Sequence, residues 1–110
     1  MKNEPEKIQS GTTSTDLTIV IVNWNTRKLL ADCLDSVAGT VQGPTYEVIV
    51  VDNASTDGSI GMLRDEYPEV RVIANDVNRG FGAANNQAFA VMAGRYALLL
   101  NTEPSSPITP

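Results

Sequence analysis

Six polar residues stand at or just behind the ends of apolar runs. Asn23 and Asn25 follow Leu17–Val22, Asp52 and Asn53 follow Val48–Val51, and Asn101 and Glu103 follow Tyr96–Leu100. Amides and carboxylates can hydrogen-bond a polar ligand, and a carboxylate can also ligate a hard cation. Their placement matters more than their type. In an open parallel α/β sheet the C-terminal ends of all strands lie on one edge, and ligands bind in the crevice there. The most abrupt change falls within YEVIVVDNASTDGS, Tyr46–Ser59, where a β-branched run gives way at Asp52 to Asn53, Ser55, Thr56, Asp57 and Gly58. This predicts a crevice above Asp52 for a polar small molecule. Ser55, Thr56 and Asp57 serve at least as well as turn and cap residues.

Two further stretches could bear on such a ligand. Asn78, Arg79 and Gly80 lie in the polar, glycine-rich segment NDVNRGFG, which leads into an alanine-rich helix. Free amides at the start of that helix could meet a phosphate. Asn85 and Asn86 read equally well as ligands or as surface polar residues. Gly80-Phe81-Gly82 begins a G-x-G-x-x-G pattern, but Asn85 stands at the third glycine and the motif follows the third strand, so the dinucleotide fingerprint is not met. Glu103 is either an exposed loop acid or a ligand for Mg2+ or Mn2+, which take carboxylate and phosphate oxygens.

The elements that must position these residues alternate in type. Leu17–Val22 reads as a strand. Leu30, Cys33, Leu34 and Val37 form the apolar stripe of a following helix, with Thr26 as its cap and Gly39 as its stop. Gly43-Pro44 marks a turn before the second strand. A short helix then presents Ile60, Leu63 and Tyr67 and ends before Pro68, and Val70–Ala74 is a third strand. Ala83–Ala93 is a helix with Ala84, Ala88, Val91 and Met92 toward the sheet and Gly94 as its stop. Tyr96–Leu100 is a fourth strand, read as covered on both faces and paired on both sides. Four alternations predict an α/β fold, a three-layer α/β/α sandwich with a mainly parallel sheet of about four strands.

Composition narrows the class. The chain has 110 residues, 42% hydrophobic and 19% charged, with a formal charge of −5. That balance suits one globular domain and argues against nucleic acid as a partner. A phosphate-bearing ligand would need local cations, for which a bound metal is the natural source. One cysteine and no histidine exclude an internal disulfide and every Cys/His zinc or Ser-His-Asp arrangement. Residues 1–15 read as a disordered tail without a secretory signal, and 104–110 as an irregular tail.

TIVIVNWNT, EVIVVDNASTDGS, NRGFGAANNQAF and YALLLNTE, in this order and spacing, resemble the N-terminal half of family 2 glycosyltransferases of the GT-A fold. The rhamnosyltransferase-like branch is the nearest match. The resemblance spans residues 16–103 and implies a nucleotide-sugar-binding part of a GT-A domain. It implies transfer of a sugar, with inversion, from a UDP- or dTDP-sugar to a saccharide hydroxyl in cell-envelope polysaccharide synthesis. On the same terms, Val22, Asn23 and Asn25 line the nucleotide pocket, and Asp52, with Asn53 beside it, meets the base. Asn78, Arg79, Gly80 and Asn85 border the nucleotide and its phosphates. The family's D-x-D falls on Asn101-Thr102-Glu103, with Asn101 toward the ribose and Glu103 holding Mn2+ or Mg2+. The general base and acceptor segment are expected beyond Pro110, so no catalytic residue is assigned and the chain is expected to be inactive alone. A cytoplasmic location, with peripheral contact at the membrane face, and a homodimer through the fourth strand complete the expectations. The competing readings are a non-catalytic nucleotide-binding module and, disfavoured by the missing glycine fingerprint after the first strand, an NAD-dependent oxidoreductase.

Overall fold

A computed structural model describes residues 15–41 and 45–102. Residues 1–14 of the tail expected at 1–15, the tail expected at 104–110, the Gly43-Pro44 turn and Glu103 lie outside the described residues. Four strands and three helices alternate: β1 Leu17–Asn23, α1 Arg27–Thr40, β2 Tyr46–Asn53, α2 Ser59–Glu66, β3 Arg71–Asn75, α3 Gly80–Val91 and β4 Tyr96–Asn101. All strand pairs are parallel, in the order β3-β2-β1-β4. The expected three-layer α/β/α architecture is the one observed.

The two helical layers follow from alternation along strands that are apolar on both faces. Ile19, Ile21 and Val50 point to one side, where they pack with Leu30, Leu34 and Val37 of α1 and Leu63 of α2. Val20, Val22, Ile49 and Val51 point to the other, against Ala84 and Ala88 of α3. All of these are buried. Burying each large aliphatic side chain stabilises the fold by about 1.5–3 kcal/mol. Alanines at 84 and 88 let α3 lie close to the sheet.

Several boundaries differ from expectation for local reasons. α1 runs past Gly39 to Thr40 and ends at Val41, an extended residue whose N–H reaches Val37 O. Gly39 has open space around it and is not required as a stop. α3 begins at Gly80, three residues early, and β3 starts one residue late. Gly94 follows α3 but serves a different purpose from a helix stop. A Cβ on it would sit 2.4 Å from Thr18 Oγ1 and 2.5 Å from the Thr18 backbone nitrogen. The close approach lets Gly94 N–H donate to Thr18 Oγ1 at 2.8 Å, while Thr18 donates to Glu47 Oε2 at 2.6 Å.

β4 differs most. Its apolar run predicts burial on both faces and pairing on both sides, yet among the described residues it pairs with β1 alone. Tyr96, Leu98 and Leu99 are exposed, Tyr96 by 65%. β4 is an edge strand because no described element packs beyond it. No described helix is long and apolar enough to cross a membrane.

Candidate functional site

The strand order reverses direction once. The chain steps from β1 to β2 to β3 on one side, then returns to add β4 on the other. Such a switch point opens a crevice at the C-terminal edge, here between β1 and β4. The register sets Asn23 opposite Asp52, Asn53 opposite Asn75, and Val22 opposite Asn101. The polar clusters therefore do share one edge, with its switch point one strand away from Asp52.

One hydrogen-bonded network ties the ends of β1 and β2. Asn23 Nδ2 donates to Asp52 Oδ1 at 2.8 Å. Ser55 donates twice to the same carboxylate, from its hydroxyl to Oδ1 at 2.8 Å and from its amide to Oδ2 at 2.9 Å. Ala54, at φ 65°, provides the left-handed turn that folds Ser55 back. Asn25, also left-handed at φ 53°, has its amide on Ser55 Oγ at 2.8 Å, and its Oδ1 accepts the Thr56 amide at 2.7 Å. Left-handed geometry at two non-glycine residues concentrates backbone strain at this edge. Thr26 makes no side-chain cap. Its hydroxyl donates to Asn23 Oδ1 at 2.8 Å and lies 2.6 Å from the Thr102 hydroxyl, joining the end of β4 to the network.

The cap expected of Thr26 is supplied from thirty residues away. Asp57 accepts the Arg27 amide at the start of α1 at 2.9 Å, and the Ser59 amide and hydroxyl at the start of α2 at 3.1 and 2.6 Å. Burial pushes its carboxyl up, but the Ser59 hydroxyl and the two amides outweigh this and hold it below the usual aspartate value. Asp57 is thus a turn and cap residue.

A second network places the start of α3. Asn53 Oδ1 accepts the Asn75 side-chain amide at 3.0 Å and the Arg79 backbone amide at 3.2 Å, while its Nδ2 donates to Gly80 O at 3.2 Å. Asn78 Oδ1 accepts the Gly80 amide at 2.8 Å, and Asn75 and Gln87 exchange two 2.8 Å bonds. With Gly80 at φ 82°, these contacts draw the glycine-rich segment into helix earlier than its propensity predicts.

Asn23, Asp52 and Asn53 are thus brought together, but all three are at most 2% exposed and engaged with protein groups. Val22 is buried beneath them, and Asn85 is buried within α3. Asn25, Asn78, Arg79, Gly80 and Asn101 are the exposed members of the expected set. Trp24, absent from that set, is 43% exposed between Asn23 and Asn25. A large aromatic ring left in solvent at the tip of a crevice offers a stacking surface, and its place in Asn-Trp-Asn was the available signal. Ser55, Thr102, Asn75 and Gln87 also complete the networks; their partners are distant in sequence, so no local pattern marks them.

Among the described residues no group of three or more His, Cys, Asp or Glu side chains could hold a metal. Asp52 and Asp57 are already hydrogen-bonded to protein. A metal at this edge would therefore need scattered single carboxylates, such as the exposed Asp76 behind β3, together with oxygens of the ligand itself. A separate hollow at the opposite edge, lined by Leu34, Val37, Tyr46, Glu47, Tyr67 and Val70, is floored by the core and far from these clusters.

Residues 18–102 match the model of Glycosyl transferase family 2. The chain belongs to this family. It is 37% identical over 92 residues to the poly(ribitol-phosphate) beta-glucosyltransferase of Bacillus spizizenii, a match covering 79% of the chain and 14% of that relative. It is 34% identical over 89 residues to the succinoglycan biosynthesis protein ExoO of Rhizobium meliloti, covering 80% of the chain and 25% of the relative. The solved mannosyltransferase from Pyrobaculum calidifontis, in complex with GDP-Man and Mn2+, superposes on 83% of the chain and 28% of its own length, with a TM-score of 0.70 and 25% identity. The family 2 chain has the GT-A type of fold, and it spans a quarter or less of the two relatives' lengths.

Proposed function

We propose that this chain is the donor-binding part of an inverting glycosyltransferase that takes a nucleoside-diphosphate sugar and serves cell-envelope polysaccharide synthesis. One observation carries the reading: two buried polar networks at the C-terminal edge of the sheet hold exposed groups, Trp24, Arg79 and the α3 N-terminus, along that edge. The base stacks on Trp24. The spare acceptor capacity of Asp52 Oδ2, bonded among the described residues to the Ser55 amide alone, takes a base N–H. Asn23 and Asn53 act as supports that hold Asp52 and α3, and Val22 floors the pocket. Asn25 and Asn101 flank the ribose. Arg79, with Asn78 and Gly80 shaping the turn, presents positive charge and helix amides to the diphosphate.

A divalent cation, Mn2+ or Mg2+, would be held by Glu103 together with the donor's own oxygens, since such ions often use one or two protein carboxylates beside phosphate. When bound it offsets charge on the departing diphosphate. The chain's own residues bind and orient the donor, and the acceptor is a saccharide hydroxyl. The rhamnosyltransferase-like branch and a UDP- or dTDP-linked donor are the finer assignments we carry, along with a cytoplasmic location and a homodimer through the exposed β4 edge. Calorimetric titration with UDP, dTDP and GDP, with and without Mn2+, tests the reading. Metal-dependent binding lost in Glu103→Ala supports it, and the absence of binding to all three opposes it.

A further inference from the structure

The hollow at the N-terminal edge of the sheet carries a chemistry that the donor crevice does not use. It is walled by the last turns of α1, the end of α2, the first residues of β2 and Val70 just before β3. Along β2 the eight residues from Tyr46 to Asn53 set it about 23 Å from the clustered amides. Its volume is about 440 Å³, inside the roughly 300–1,000 Å³ of ligand pockets. Leu34 and Val37 are buried beneath it, while Val48 and Val70, half-buried, leave apolar surface open to solvent.

Around this floor the charges have one sign. Glu47, Glu66 and Glu69 line the hollow, and among the described residues no lysine or arginine does. Asp35 stands at its rim through Tyr67, whose hydroxyl donates to Asp35 Oδ1 at 2.8 Å. Glu47 is taken up by the Thr18 hydroxyl and the Ala93 amide. Glu66 and Glu69 are exposed, and among the described residues neither has an ion-pair partner. Tyr67 registers the field: the Asp35 hydrogen bond, burial, and the charges of Asp35, Glu66 and Asp32 push its phenol up to about 12. Tyr46 and Tyr67 add aromatic rings to the rim, and ring faces attract cations.

Such a rim repels an anionic nucleotide, a nucleic acid or an anionic bilayer, in keeping with the formal charge of −5. A small polyamine would meet the carboxylates but leave the apolar floor in water. A polypeptide with a large apolar side chain set between cationic ones satisfies both parts. We propose that this hollow docks a basic segment of a partner protein, with an aliphatic or aromatic anchor entering between Tyr46 and Tyr67 and flanking lysines or arginines meeting Glu66, Glu69 and Asp35. Docking here leaves the donor edge free, so partner and nucleotide occupy the chain together.

The probe is a blocked hexapeptide, Lys-Lys-Phe-Leu-Lys-Lys, titrated into the full chain by heteronuclear NMR at low salt. Lys-Lys-Ser-Ser-Lys-Lys and Glu-Glu-Phe-Leu-Glu-Glu are the controls. Amide shift changes are expected at Tyr46, Val48, Tyr67 and Val70. The serine peptide is expected to bind about tenfold more weakly, and the acidic peptide not at all. The double variant Glu66→Lys, Glu69→Lys changes two exposed rim residues; it is expected to weaken the basic peptide about tenfold with Tm unchanged. No binding of the basic peptide, equal binding of the serine peptide, or shift changes scattered over other acidic surface overturns the proposal. So does binding of the acidic peptide in the hollow, or unaltered affinity in the double variant. The three wild-type titrations decide the matter by themselves should the double variant fail to fold.

Discussion

Asn23 and Asp52 stand opposite each other in the β1–β2 register, and the Asn23 amide donates to the Asp52 carboxylate at 2.8 Å with both residues almost fully buried. A charge taken out of water at the end of a sheet is tolerable only with such partners. Asp52 has three donated bonds, from Asn23 and twice from Ser55. Asn23→Leu strips one of these and also removes the Asn23 Oδ1 acceptor from the Thr26 hydroxyl, which keeps the Thr102 hydroxyl as a partner. It is expected to cost about 2 kcal/mol in denaturant unfolding, and Ser55→Ala, which removes one side-chain donor, less. Equal stability of wild type and Asn23→Leu would show that the pair is not a support.

Asp57 joins the first amides of α1 and α2. Asp57→Ala is expected to destabilise the chain by about 1–2 kcal/mol through lost caps, seen as a lower Tm. Its depressed pKa also fixes a sign with pH. The carboxylate form is favoured more in the folded than in the unfolded chain, so its contribution is present above an ordinary aspartate pKa of about 3.9. It is lost as pH falls through the lower folded value. Glu47 adds to this: burial raises its pKa, but bonds from Thr18 and the Ala93 amide outweigh that and lower it. Unfolding followed by circular dichroism should show stability falling below about pH 4.5, with a shallower fall in Asp57→Ala.

Gly94 is required by space rather than by conformation. Gly94→Ala places a methyl group against Thr18 at distances that no Cβ tolerates, and about 1–3 kcal/mol of destabilisation is expected. Gly39→Ala, with open surroundings in a helix, is the control and should be neutral or stabilising. The reverse order of the two would contradict the packing described for β1 and α3.

Trp24 is the chain's single tryptophan and stands exposed at the crevice, so its fluorescence reports directly on ligand. Trp24→Ala should leave unfolding stability within about 0.5 kcal/mol of wild type and weaken nucleotide binding by about 1–3 kcal/mol through lost base stacking. A large loss of stability with unaltered binding would make Trp24 a packing residue instead.

Much of this was legible in the sequence because the strands announce themselves. Leu17–Val22 and Val48–Val51 are long β-branched runs, and the polar residues behind them converge in any parallel sheet. The topology moved the crevice, since nothing local in Tyr96–Leu100 says that β4 returns to the far side of β1. Asp57, already read as a turn or cap residue, took the α1 cap expected of Thr26, because a cap can come from any residue that the fold brings near. Propensity favoured Thr26, while tertiary position favoured Asp57. The start of α3 was missed for the same reason: Asn53 and Asn78 hold a glycine-rich turn that would not commit to helix by itself. Asn23, Asp52 and Asn53, expected to touch ligand, are buried and bonded to protein groups because the tertiary fold brings their partners to them, while Trp24 between Asn23 and Asn25 is exposed.

The most direct test of the donor site is a heteronuclear NMR titration of the chain with UDP and with GDP in the presence of Mg2+, read as amide shift changes along the backbone. The account predicts changes confined to the C-terminal edge, at Trp24 and Asn25, Arg79–Ala83 and Asn101, with the Trp24 indole among the largest. Changes centred instead on the hollow at the opposite edge, around Tyr46, Tyr67 and Val70, or no changes with either nucleotide, would contradict it.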